Sequence, residues 1–132
     1  MSSVSALDAP RAARTIVELP AGRGYADVAS LVIGGVAARF ELPIDRVDDL
    51  LLAVDSLLMQ EVVGETAHIE ADASPTGLVV RLGPYPAGQL DDASLRRILT
   101  RLVDTVAEVR TDGRDGAWIE LGVAVARRHD GK

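Results

Sequence analysis

The sequence predicts an α+β fold of two layers, a two-layer α/β sandwich with helices on one face of a mostly antiparallel sheet. Three observations carry this. Segments of strand length and segments of helical period follow one another in the order β-α-α-β-β-α-β-β. Two pairs of consecutive strands are joined by short turn-rich connections, as antiparallel neighbours are. The clearest strands alternate apolar with charged residues, so one face of the sheet is wet.

The elements follow in order. Arg14 to Leu19 has strand length and β-branched residues, and Pro20-Ala21-Gly22 ends it. From Tyr25 to Phe40, Val28, Leu31, Val32 and Val36 recur at three- and four-residue spacings, which predicts an amphipathic helix. Gly34-Gly35 lowers its helix propensity and predicts close packing against a neighbour there. Pro43 opens a second helix, with Val47, Leu50, Leu51, Val54, Leu57 and Leu58 as its apolar stripe down to Gln60.

Ala67 to Asp72 sets Ala67, Ile69 and Ala71 against His68, Glu70 and Asp72, a half-buried strand. The turn residues Ser74-Pro75-Thr76-Gly77 connect it to a strand over Leu78 to Leu82, giving a hairpin. Gly83-Pro84-Tyr85-Pro86-Ala87-Gly88 reads as a short rigid loop without regular structure. Asp91 or Asp92 then caps a third helix whose inner residues are Leu95, Ile98, Leu99, Leu102 and Val103. Val106 to Arg110 and Ala117 to Ala126 are the last strands, joined through the two Asp-Gly pairs of residues 111–116. In the last strand only the face of Ile119, Leu121, Val123 and Val125 reads as core. The wet face collects His68, Glu70, Asp72, Arg81, Glu108, Arg110 and Glu120.

The chain has 132 residues, 48% apolar and 26% charged, which suits one domain with one core. Residues 1–12 read as a flexible leader, 13–127 as the domain and 128–132 as a charged tail. Without a signal peptide or a membrane-length apolar run, the expected location is cytoplasmic, with no membrane partner. There is no cysteine, which excludes thiol catalysis, disulfides and cysteine-bound metals. A net charge of −6 and four aromatic residues argue against nucleic acid as a partner.

Several constellations have bland readings. Gly22-Arg23-Gly24-Tyr25-Ala26-Asp27 lacks the third glycine of a dinucleotide fingerprint and reads as a turn. Asp48 and Asp49 complement the dipole of the second helix. His68 and His129 each lack a second ligand, so no metal site is expected. Ser56 beside Asp55 has no base histidine near it. Arg96, Arg97 and Arg101 form a basic ridge on the third helix, a solvated face or a docking patch for an acidic partner.

The element order, together with Glu41-Leu42-Pro43-Ile44-Asp45-Arg46-Val47-Asp48-Asp49-Leu50-Leu51-Leu52-Ala53-Val54-Asp55-Ser56, resembles the histidine-kinase-like (GHKL, or Bergerat) ATPase fold. Within it, residues 13–127 resemble the anti-sigma-factor serine kinases of bacterial partner switching. The resemblance implies a carboxylate base and a Mg²⁺-binding asparagine on the second helix, an Asp-x-Gly loop that reads adenine, and a glycine-rich lid. Ala53-Val54 match, and Asp55 stands in the place of the carboxylate. Met59 stands where the asparagine belongs, and a thioether cannot replace a hard oxygen ligand for Mg²⁺. Leu82-Gly83-Pro84 replaces the Asp-x-Gly loop, and Leu90 to Arg97 has no lid glycines.

Phosphoryl transfer depends on metal and positioned donors, so these departures together predict a degenerate member of the family. Asp55, Met59, Gly83 and Gly88 would be the remnant of its nucleotide pocket, in an apolar cleft between the second helix, the third helix and the loop of residues 83–88. The implied function is a non-catalytic, anti-sigma-factor-like regulator that binds a sigma factor or an antagonist protein, as a homodimer, with no cofactor. Two alternatives stand beside it: an active serine/threonine kinase using Mg-ATP, and a self-associating adaptor unrelated to sigma factors.

Overall fold

The computed structural model describes residues 13–21, 25–110 and 116–124. The leader, residues 22–24 of the Gly-Arg-Gly segment, most of the 111–116 connection, Val125, Ala126, His129 and the charged tail lie outside the described residues.

The chain forms β1 (Ala13–Pro20), α1 (Tyr25–Arg39), α2 (Ile44–Leu58), β2 (Thr66–Ser74), β3 (Gly77–Tyr85), α3 (Ala93–Leu102), β4 (Thr105–Val109) and β5 (Ala117–Ala124), with a 3₁₀ turn at Gln89–Asp91 before α3. This is the β-α-α-β-β-α-β-β order expected. The five strands make one sheet in the order β1-β2-β3-β5-β4, and every neighbouring pair is antiparallel.

The β2–β3 hairpin closes through two residues, because Ser74 pairs with Gly77. Ser74 Oγ accepts from the Thr76 N–H at 3.3 Å and donates to the Gly77 carbonyl at 3.3 Å, which closes the turn. Asp92 is the N-cap of α3, its carboxylate accepting from the N–H groups of Ser94 and Leu95 at 2.9 and 3.2 Å. No described helix is long and apolar enough to cross a membrane.

The core lies between the three helices and one face of the sheet. Leu50, Ala53, Val54 and Leu57 from α2 meet Ile69, Leu78, Val80, Leu82, Ile119 and Leu121 from the strands, all essentially closed to solvent. Helix α1 lies over β1 and β2, α2 packs beside it, and α3 packs against α2 and β4.

Five expectations are corrected. The buried stripe of α1 is Ala29, Ile33 and Ala37, whereas Val28 and Leu31 are exposed, Leu31 to 76%. Nearly every residue between Ala26 and Ala38 is apolar or glycine, so the sequence carries no contrast that could set the phase. The Gly34-Gly35 pair is not tightly packed: a Cβ on Gly34 would meet Leu51 at 3.8 Å, an ordinary contact, and one on Gly35 would meet nothing within 4 Å.

Regular structure continues into the first half of the segment expected to be a loop, since β3 runs to Tyr85, which pairs with Ala117 after a register shift, and residues 86–88 are the turn expected. That shift turns Tyr85 into the core despite the two prolines around it. Finally, Glu108 does not join the wet face, and Arg110 lies beyond the end of β4, 3.8 Å from Glu108. Glu108 pairs with Ile119 and so points to the helix side, where the edge position of β4 leaves room for its carboxylate to bind backbone. On the outer face Trp118 is buried at 4% exposure, so that face of β5 is not wet throughout.

Candidate functional site

Helix α2 carries the two polar-site residues read from the sequence. Asp55 sits on its exposed side and accepts a hydrogen bond from Ser30 Oγ of α1 at 2.9 Å, which ties the two helices together. Met59, the C-cap of α2, is 82% exposed and lines a shallow groove of about 410 Å³ with Ala21, Gln60, Glu61 and Gly64. Asp55, Gly83 and Gly88 do not line that groove.

The space between α2, α3 and residues 83–88, where an apolar cleft was expected, holds side chains instead. Tyr85 is fully buried there and its hydroxyl donates to the Leu57 carbonyl at 2.8 Å. The same carbonyl, at the end of the helix, accepts from the Gln60 N–H at 2.9 Å, and Tyr85 is its second donor. Gln89 Nε2 donates to Gln60 Oε1 at 3.0 Å across the same junction.

Gly88 takes a left-handed conformation, φ 87°, that glycine adopts without strain. Its N–H donates to Glu108 at 2.9 Å, and the other carboxylate oxygen of Glu108 faces the Leu90 N–H at 3.5 Å. The loop is therefore held by a carboxylate on β4.

Gly83 lies on the far side of the sheet. It pairs with His68, and a Cβ on it would stand 3.0 Å from the Trp118 ring. His68 leans on the same indole, centroids 5.6 Å apart and planes at 53°, and faces Glu18 at 3.4 Å. A second groove, about 340 Å³, opens here between His68, Pro84, Trp118 and Thr66. Beside it the outer face carries an ion-pair network: Arg81 bridges Glu120 at 2.8 Å, Asp72 at 3.6 Å and Glu70 at 3.7 Å.

Arg96, Arg97 and Arg101 are exposed on α3 and make no ion pair among the described residues. Ile98, 45% exposed, stands among them. Ser56 donates to the Leu52 carbonyl and is a helix-surface residue. No group of three histidine or carboxylate side chains among the described residues is placed to hold a metal ion.

Sequence reasoning missed the junction of Arg46 and Asp104. Arg46 is the one charged residue of the buried set, 7% exposed, and its guanidinium donates to Asp104 at 2.6 Å. The signal was available: Arg46 precedes Leu50, Ala53 and Leu57 at helical spacing, on the apolar stripe itself.

No protein-family model matches this chain, and no curated protein matches it significantly.

Proposed function

We propose that this chain is a non-catalytic regulatory protein that works by binding another protein. In this reading it is a degenerate anti-sigma-factor-like member of the histidine-kinase-like ATPase class, and its partner is a sigma factor or the antagonist that releases one. The element order and the helical layer over an antiparallel sheet support the scaffold. The observation that carries the loss of catalysis is the end of α2. Met59 offers a thioether to solvent where a metal-binding amide would stand, and Tyr85 and Gln89 occupy the junction behind it.

In this reading the protein works by surface contact. The basic ridge of Arg96, Arg97 and Arg101, around an exposed isoleucine, offers unpaired charge and apolar surface together on an otherwise acidic protein. It fits an acidic partner surface, and guanidinium groups bind carboxylates bidentately.

Thermal unfolding in the presence of Mg-ATP and Mg-ADP tests the reading. A ligand at a hundredfold its dissociation constant stabilises a fold by about 2.7 kcal/mol, so binding is easily seen. No shift is expected with either nucleotide, whereas a Mg²⁺-dependent rise in Tm would restore the kinase reading. Capture from the native host should recover a sigma factor or a serine-bearing antagonist, and the triple substitution R96E/R97E/R101E should abolish it. Recovery of this chain alone would favour the adaptor.

A further inference from the structure

The channel between α2 and α3 carries charge of opposite sign on its two rims. We propose that an amphipathic helix of a partner protein docks along it, its apolar stripe on Leu52 and Ile98, its basic flank against Asp45 and Asp49, and its acidic flank against Arg97 and Arg101. This deepens the functional reading above and rests on its premise that the chain works by protein contact.

Helix α2 is the middle helix of the layer, packed against α1 and against α3. Ser30 bonds Asp55 and Gly34 faces Leu51, so α1 and α2 run antiparallel. Each turns toward the other the residue that follows a buried one: Ser30 after Ala29 and Gly34 after Ile33, Leu51 after Leu50 and Asp55 after Val54. Helices α2 and α3 are antiparallel as well, tied through Gln60 and Gln89 at one end and Arg46 and Asp104 at the other.

Antiparallel helices on one sheet meet through the same flank, so α2 and α3 turn toward each other the residues that precede buried ones. These are Asp49 before Leu50 and Ala53 before Val54 on α2, and Ile98 before Leu99 and Arg101 before the half-buried Leu102 on α3. At about 100° per residue, Asp45 and Leu52 fall on the outer crest of α2 and Arg97 on that of α3. Arg96, which follows Leu95, falls on the flank away from α2. Asp49 and Arg101 are each three residues in from the Arg46–Asp104 pair and share a level, and Ala53 and Ile98 share the level of the next turn.

The channel is open along this stretch. Leu52 is 55% exposed and Ile98 45%. Asp45, Arg97 and Arg101 are exposed and Asp49 is half-buried, and no ion pair crosses the channel among the described residues. The two rows of charge are held apart with apolar surface between them.

A groove between two packed helices takes a third helix at the usual interaxial distance of about 8–10 Å. Acid on both flanks of that helix would set like charges against Asp45 and Asp49, and base on both would do so against Arg97 and Arg101. One flank of each sign is complementary to both rims. Such a helix fits in one direction, because turning it end for end exchanges its flanks. The helices of a second copy already bury their apolar stripes on their own sheet, so a partner protein supplies the occupant.

Fluorescence anisotropy of the full chain with designed helices tests the proposal. The probe is a labelled, hydrocarbon-stapled alanine helix with a leucine stripe, glutamate along one flank and lysine along the other. Two comparison peptides carry glutamate on both flanks or lysine on both. The mixed probe is expected to bind with a Kd of ~10–100 μM, as suits a small contact, and each comparison peptide about tenfold more weakly. Leu52→Glu and Ile98→Glu should each weaken the mixed probe about tenfold or more without moving the unfolding midpoint, since both side chains are exposed. Arg96→Glu should change its binding by less than about twofold. R97E/R101E makes both rims acidic, and the all-lysine peptide should then bind tightest.

Failure of the mixed probe to bind at ~1 mM, or binding indifferent to both L52E and I98E, would overturn the proposal. An all-glutamate peptide bound as tightly as the mixed one, with Arg96→Glu as costly as Arg97→Glu, would also overturn it while leaving the arginine ridge and the functional reading in place. A dimer in sedimentation that Leu52→Glu abolishes would put a second copy in the channel and overturn it too. A Mg²⁺-dependent nucleotide shift beside intact selectivity for the mixed probe would support the channel and sink the loss of catalysis instead.

Discussion

The guanidinium of Arg46, near the start of α2, donates to the carboxylate of Asp104 between α3 and β4 at 2.6 Å, and the same carboxylate oxygen accepts from the Ala124 N–H at the described end of β5. The Asp104 N–H in turn donates to the Gly122 carbonyl. One carboxylate thus joins a helix, a turn and a strand at one end of the sandwich. The two partners differ in exposure: the Arg46 side chain is 8% accessible and that of Asp104 35%. Arg46 Nε is buried without a hydrogen-bond partner among the described residues.

Removing one member of this pair should therefore be asymmetric. Asp104→Ala leaves a guanidinium buried and uncompensated and frees the Ala124 N–H, with an expected loss of about 2–4 kcal/mol. Arg46→Met keeps the volume, removes the buried charge and leaves a carboxylate that reaches water, with an expected loss of about 1 kcal/mol or less. Urea unfolding of the two variants measures the difference, and equal losses would show that burial of the arginine does not govern the junction.

Tyr85 carries the second prediction. The Leu57 carbonyl accepts from both the Tyr85 hydroxyl and the Gln60 N–H, so Tyr85→Phe leaves it with one donor. The expected cost is about 1 kcal/mol, the net worth of one hydrogen bond. Tyr85→Ala also empties a fully buried ring site and should cost about 3–5 kcal/mol. A Tyr85→Phe loss as large as that of the alanine variant would place the role of Tyr85 in its hydroxyl rather than its ring.

The layers and the order of elements were legible because their signals are local. The stripe of α2 and the alternation of Ala67, Ile69 and Ala71 each contrast apolar with polar residues, and Asp92 stands directly before the helix it caps. What failed needed contact across the chain. Helix α1 has no polar face to set its phase, Glu108 chose its side through the amides of Gly88 and Leu90, and β3 extended because Tyr85 found a pairing partner in Ala117. Asp55 lies on α2 and Met59 caps its end one turn on, while Gly83 and Gly88 were grouped with them by order along the chain. Register carried Gly83 to the far face of the sheet.

The loop held by Glu108 gives the third prediction. Glu108→Ala removes the acceptor of the Gly88 N–H and, more weakly, of the Leu90 N–H, at the point where the chain enters α3. Both groups are half-buried, so part of the loss is recovered by water, and about 1–2 kcal/mol of destabilisation is expected. Glu108→Gln keeps an oxygen acceptor and should fall within about half of that loss. Hydrogen exchange of the amides at residues 88–91 should rise in the alanine variant ahead of the rest of the fold. Uniform acceleration across the sheet would mean that Glu108 supports β4 and not the loop.

Two glycines distinguish space that is used from space that is idle. At Gly83 an added Cβ would meet the Trp118 ring at 3.0 Å and the Ala117 carbonyl at 3.1 Å, and the carbonyl belongs to the β5 ladder and cannot give. The indole must move away from Gly83, against His68 or the strand beneath it, so Gly83→Ala should cost about 1–3 kcal/mol. At Gly34 the same methyl meets Leu51 at an ordinary 3.8 Å inside a helix. Gly34→Ala should stabilise by about 0.5–1 kcal/mol through helix propensity. Trp118 is the single tryptophan, so its emission reports the first change directly. A red shift is expected for Gly83→Ala and none for Gly34→Ala, with unfolding midpoints moving in opposite directions. If Gly83→Ala left both emission and stability unchanged, the stacking of Trp118 over that glycine would not be what closes the outer face.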